Sequence, residues 1–107
     1  ELKAQLAGTT DATAAIALLK QKIAAIPNVL AEPAVDVEIL EFTLVGPVLA
    51  VRPYCHNDHY WQVYFDTNRT IRDSFGEAGF AAPMPAQLMV MQNAPAVPLT
   101  QPANQAA

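Results

Sequence analysis

An α+β fold of the ferredoxin-like kind, βαββα(β), is the architecture this sequence predicts, with two helices on one face of a mainly antiparallel sheet. Three observations carry it. Apolar residues alternate with period 2 in the segments read as strands, they recur at helical spacing in two longer stretches, and the segments follow one another as strand, helix, strand, strand, helix. With 107 residues, 52% hydrophobic and 15% charged, the chain supplies one compact core and is too short for two.

Leu2, Ala4 and Leu6 alternate with Lys3 and Gln5 as far as Gly8, the pattern of a half-buried first strand. Thr10 or Asp11 then caps a helix whose Ala12, Ile16, Leu19, Ile23 and Ile26 fall in one stripe. Pro27 and Asn28 end it. Val35, Val37 and Ile39 alternate with Asp36 and Glu38, giving a second strand with one buried face and one acidic, wet face. Gly46 and Pro47 turn the chain into a third strand, Val48 to Tyr54, apolar on both sides until Arg52 and therefore central. These two strands are expected to pair as a hairpin that stops at Pro53, which has no N–H to donate.

Asp58 reads as the N-cap of a long second helix from His59 to Ala78. Tyr60, Trp61, Tyr64, Phe65, Ile71, Phe75 and Ala78 are assigned to one broad face, and that face to the core rather than to a ligand cage. Gln62, Asp66, Arg69, Asp73 and Glu77 take the opposite side, and Val63, off the aromatic stripe, suggests a second contact surface. Gly79 stands where a left-handed residue ends a helix, with Phe80 placed to touch Phe75 as in a Schellman stop. The division is then 1–82 for the α+β domain, 83–91 for a proline linker and a short apolar strand, and 92–107 for a tail expected to be disordered.

Composition narrows the function. A net charge of −4, a pI near 4.9 and six scattered Lys and Arg residues argue against a nucleic-acid partner. Cys55 is the only cysteine, which excludes an internal disulfide and fits a reducing compartment. No run approaches the roughly 20 apolar residues that span a bilayer, and the stretch from Glu1 lacks a signal-peptide profile.

Candidate chemistry concentrates between Cys55 and His59. Cys55, His56, Asp58 and His59 are all possible metal ligands, yet neighbours on a strand-to-helix turn point in different directions and no distant cluster completes them. A solvated loop with a half-buried thiol is the preferred reading. Nucleophilic catalysis by Cys55 with His56 or His59 needs a base held at hydrogen-bond distance, which adjacency does not provide. Arg52 with Asn68 resembles the cation and amide of an acylphosphatase-type anion pocket, but no glycine-rich phosphate loop accompanies them. The residues therefore point to no enzyme, cofactor or metal.

One stretch resembles a known family. Val51 and Arg52, then Asp58 to Asp66, then Ile71, Arg72, Phe75, Ala78, Gly79, Phe80, Pro83, Pro85 and Gln87 are similar to the C-terminal cytoplasmic domain of small-conductance mechanosensitive channels, the MscS family. There an aromatic-rich helix ends in Ala-Gly-aliphatic and is followed by Pro-x-Pro-Gln. Here Met84 stands where the family has an aromatic, and Ala86 separates Pro85 from Gln87. The resemblance covers residues 1–91 and is specific from Asp58 to Gln87.

What it implies is a vestibule wall on the cytoplasmic side of the bacterial inner membrane, assembled as a homoheptamer below a tension-gated pore. The membrane-spanning segments would lie upstream of Glu1. Pro83, Pro85 and Gln87 would then lead to an oligomerisation strand, Leu88, Met89, Val90 and Met91, which joins copies from six neighbours in a small barrel. Edge-strand physics agrees, because a four-residue apolar strand behind two prolines has little to pair with locally and a closed ring removes every edge. The alternative is a free-standing ferredoxin-like module that binds a small ligand or metal through the Cys55–His59 loop.

Overall fold

The computed structural model describes residues 1–84; the expectations for Pro85, Gln87, Leu88, Met89, Val90 and Met91, and for the tail from 92 to 107, lie outside the described residues. The chain forms an α+β fold: β1 (Leu2–Gln5), α1 (Ala12–Ala24), β2 (Asp36–Phe42), β3 (Pro47–Arg52), a 3-10 turn (Asn57–His59) and α2 (Tyr60–Glu77). The three strands make one antiparallel sheet in the order β1-β3-β2, consistent with a small ferredoxin-like fold. β3 is central, as its two apolar faces require. Its hairpin with β2 and the end of pairing before Pro53 also follow the sequence.

Register assigns the two faces of the sheet. Leu2 lies opposite Val51, Val51 opposite Val37, and Ala4 opposite Leu49, so these side chains share the face that both helices cover. Together with Leu6, Ala15, Leu19, Ile23, Ile26, Val35 and Ile71 they form the core. Each fully buried Leu, Ile or Val among them contributes roughly 1.5–3 kcal/mol of transfer free energy. The second face is open. There Lys3, Ala50 and Glu38 make one cross-strand row, and Glu1, Arg52 and Asp36 make another, in which Arg52 Nη2 meets Glu1 Oε2 at 2.6 Å and Arg52 Nη1 meets Asp36 Oδ2 at 3.0 Å.

α1 starts where Asp11 accepts hydrogen bonds from the backbone N–H of Thr13 at 3.0 Å and Ala14 at 3.2 Å, which decides between the two candidate caps. α2 ends in the expected Schellman motif. Gly79 takes φ +75°, its N–H donates to Gly76 O, the Phe80 N–H donates to Phe75 O at 3.1 Å, and the two phenyl rings lie 5.4 Å apart.

Three expectations need correction. Asp58 does not cap α2: the turn Asn57–His59 precedes the helix, His59 occupies the cap position without a side-chain bond, and the Asp58 N–H donates instead to His56 Nδ1 at 3.2 Å. His56 caps this turn, so Asp58 lies within it rather than at the start of α2. Ile39, expected in the buried stripe of the second strand, is 42% exposed. Ile39 lies on the edge strand, where a bulge between Ile39 and Glu41 interrupts the register.

The largest correction concerns the rotation of α2. Its buried stripe is Val63, Thr67, Ile71 and Ser74, while Trp61 is 62% exposed, Phe65 57% and Tyr60 50%. Val63, assigned to a polar-side contact, is in the interior, and the small side chains of Thr67 and Ser74 let α2 pack closely against α1. Tyr64 and Phe75 flank the core as partly buried neighbours. Thr67 is fully buried, and its Oγ1 has no hydrogen-bond partner among the described residues. Thr67→Val removes that orphaned hydroxyl at nearly constant volume and is expected to raise stability by about 1 kcal/mol in urea denaturation. A loss of similar size would mean that the hydroxyl is bonded in solution.

Candidate assembly surface

The turn into α2 spreads its polar side chains instead of converging them. His56 Nδ1 is 3.5 Å from Asp58 Oδ2, both groups are largely exposed, and the His56 and His59 rings lie 6.5 Å apart, edge to face. Cys55 turns away from them. It lines a small cavity of about 50 Å³ with Glu1, Leu2, Pro53, Tyr60, Val63 and Tyr64. Among the described residues no three His, Cys, Asp or Glu side chains gather as a metal site would require, and no hydrogen bond joins Cys55 to either histidine.

Arg52 and Asn68 are not brought together either. Arg52 lies on the open sheet face between two carboxylates, whereas Asn68 is exposed on the helix layer. The hydrogen bond to Asp36, and then the charge of Glu1, raise the Arg52 pKa further above its already high value. Its charge is thus neutralised internally rather than offered to an anion.

What the structure does assemble is an aromatic surface at the start of α2. Tyr60, Trp61, Tyr64 and Phe65 occupy positions i, i+1, i+4 and i+5, so the rings stand as two adjacent columns one helical turn deep. Trp61 stacks on Phe65 at 5.7 Å and Tyr60 on Tyr64 at 6.2 Å, while Trp61 meets Tyr64 edge-on at 5.6 Å. The mutual packing of the four rings fixes their orientation although three of them face outward. Trp61, Phe65, Asn68 and Arg72, spaced four, three and four, continue as one outward stripe with Arg69 beside it. Neither arginine enters an ion pair among the described residues.

The base of the helix is clamped. Gln62 Nε2 donates to Pro27 O at 3.0 Å and to Asp66 Oδ2 at 2.8 Å, and Asn28 Nδ2 donates to Gln62 Oε1 at 2.8 Å. Asn28 reaches that position in the left-handed conformation, φ +72°. The end of α1 and the aromatic turn of α2 are thereby held in one unit, so the rings are presented on a rigid support.

At the other end of the molecule the β2–β3 hairpin exposes a second apolar group. Phe42 is 75% exposed and Leu44 90%, next to Ile39 and Leu40. Glu38 and Glu41 flank it, both exposed and without an ion-pair partner among the described residues. The core assignment of the α2 aromatics hides the first surface, and the sequence pattern assigns no role to Phe42 or Leu44. The signal that would have found the first is the spacing of Val63, Thr67, Ile71 and Ser74, a stripe of small and β-branched residues as regular as the aromatic one. No helix among the described residues is long and apolar enough to cross a membrane. Neither a protein-family model nor a curated protein sequence matches the chain.

Proposed function

We propose that the chain is a non-enzymatic assembly domain, of the kind that forms the cytoplasmic vestibule wall of a small-conductance mechanosensitive channel. The observation that carries this reading is the exposed aromatic surface on α2. A small domain that placed Trp61 and Phe65 outside its core without a partner would carry an aggregation liability, and contiguous exposed apolar patches mark sites of contact. The same residues, Asp58 to Asp66, carry the resemblance to the channel family, and Pro83, which is exposed, precedes in sequence the residues read as the oligomerisation strand.

On this reading the domain supplies shape and contacts, not chemistry, and its acidic balance biases which solutes enter the enclosed space. Two results are expected. The reading frame upstream of Glu1 encodes membrane-spanning helices, and the full-length protein protects cells lacking mechanosensitive channels from hypo-osmotic shock. Removing residues 83–91 abolishes that protection and weakens assembly. An upstream frame without such helices overturns the channel reading. Zinc titration is expected to leave the Tm unchanged, whereas a saturable rise would favour the metal-binding module, because a ligand specific for the folded state stabilises it by mass action.

A further inference from the structure

We infer that the free edge of β1, walled by one side of α2, is a docking groove for an extended segment of this same chain, Leu88–Met91, which pairs there as a fourth strand. The inference goes beyond the assembly reading and does not rest on it. β1 is an edge strand, paired with β3 alone among the described residues. The Leu6 N–H donates to Pro47 O at 2.9 Å, and alternation along an antiparallel ladder then turns the backbone groups of Ala4 and Leu2 toward β3 as well. The N–H and C=O groups of Lys3 and Gln5 point the other way, to the open edge. Pro47 has no N–H to return, and Leu6 O accepts instead from Gln5 Nε2 at 2.8 Å, so the Gln5 side chain is engaged while its backbone groups are not.

α2 supplies the wall. Its Asp66, Thr70, Asp73 and Glu77 face α1, lining a cleft with Lys22 and Ala25. The arc turned away from α1 carries Tyr64 and Phe75, which flank the core and reach the two ends of β1. Tyr64 shares its small cavity with Leu2, and Phe75 shares one of about 310 Å³ with Gln5 and Leu6. Unpaired peptide groups beside an apolar wall are what an added strand requires, the first for its ladder and the second for its alternate side chains.

Chain geometry selects the occupant. α2 starts beside Leu2 and ends beside Leu6, so it runs in the direction of β1. Past the Gly79 stop, Ala81, Ala82 and Pro83 line the cavity at the end of β1, and Met84 lies against Ala7, Gly8 and Thr9. The three residues from Pro85 to Gln87 span about 10 Å, enough to turn the chain back. Leu88–Met91 then has the four-residue length of β1 and runs antiparallel to it, which places it parallel to β3 with β1 between, the split βαβ arrangement. No Asp, Glu, Lys or Arg occurs from Ala78 to Ala107, and beyond Met84 the longest apolar run without a proline is Leu88–Met91. A strand joining this edge needs both properties, since a charge would be desolvated against the wall and a proline cannot donate to the ladder. The sequence pattern leaves the segment without a local partner; the fold supplies one. On the assembly reading the same four residues pair with other copies, so docking on β1 covers the segment in the free chain and competes with its release.

The test uses the full chain in a Cys55→Ser background carrying Lys3→Cys and, in turn, Leu88→Cys, Met89→Cys, Val90→Cys or Met91→Cys. Side chains alternate across a strand, so mild oxidation is expected to close an intramolecular disulfide at least about tenfold faster for one alternate pair of positions than for the other. In hydrogen exchange the Lys3 and Gln5 amides of the unsubstituted chain are expected to be protected. Met89→Pro with Val90→Pro then speeds their exchange by about tenfold or more and leaves the Ala4 amide, bonded to β3, unchanged. Equal closure at all four positions is the mark of a loose tether and overturns the docking, as do Lys3 and Gln5 amides that the two prolines do not affect. A disulfide formed only between chains shows the segment docking on another copy and overturns it too. Each of these failures leaves the assembly reading standing, because that reading is tested by the upstream frame and by osmotic protection.

Discussion

Gly46→Ala is expected to cost about 3 kcal/mol or more, a large part of the stability of a domain of this size. Gly46 closes the β2–β3 hairpin at φ +154°, a region open in practice only to glycine. A Cβ built there would lie 2.5 Å from Leu6 O, 2.7 Å from Gly8 N and 2.8 Å from Ala7 C. All three are backbone atoms, so no side chain can rotate out of the way. The turn cannot easily shift either. Thr43 N donates to Gly46 O at 3.0 Å, Thr43 Oγ1 donates to the same oxygen at 2.9 Å, and Gln5 Nε2 reaches it at 3.2 Å. The hairpin tip and the exit of β1 are thus one packed unit, and relief of the clash would separate β1 from β3. Gly79→Ala is the control: φ is also positive, +75°, but nothing lies within 4 Å of the added atom. Its cost is expected to be about 1 kcal/mol, the conformational penalty alone. Urea denaturation of both variants decides the matter, and equal midpoints would show that the turn relaxes freely.

Much of the fold was legible because its determinants are local. The alternation of Leu2, Ala4 and Leu6, the cap at Asp11, the doubly apolar run in β3 and the Gly79–Phe80 stop each depend on a few consecutive residues, and each appears where the sequence places it. What was not legible depends on distant partners. Ile39 carries the right period for burial, but its place on the edge strand beside a bulge, a property of the assembled sheet, leaves it exposed. Asp58 is a different case: it is a good capping residue, but a local 3-10 turn capped by His56 puts it inside the turn and moves the start of α2 past it.

The rotation of α2 failed for a further reason. Two arcs of the helix are apolar enough to pack, one rich in large rings and one in small side chains, and hydrophobicity alone selects the larger. Close packing against α1 and β1 selects the smaller, because Val63, Thr67 and Ser74 fit a narrow gap that Trp61 and Phe65 do not. The surface proposed for assembly was therefore hidden by the rule that makes aromatic residues good core candidates.

That rotation makes a second large prediction, in which the same chemical change has opposite outcomes two residues apart. Val63 is 2% exposed, so Val63→Asp places a carboxylate with no cation beside it in the core, and the cost is expected to be about 4 kcal/mol or more. Against a total stability on the order of 5–15 kcal/mol for a domain of this size, such a loss removes much of the stability and shifts the melting transition far to lower temperature. Phe65→Asp, at a position 57% exposed, loses ring contacts with Trp61 and Tyr64 and a little helix propensity, and is expected to cost about 1 kcal/mol. The fold survives while the assembly surface is damaged. Had the aromatic arc been the buried one, the order of the two effects would be reversed: Phe65→Asp would unfold the chain and Val63→Asp would pass unnoticed. Melting curves and sedimentation of this pair therefore separate what α2 contributes to its own domain from what it presents to another, since only a variant that stays folded can report a loss of association.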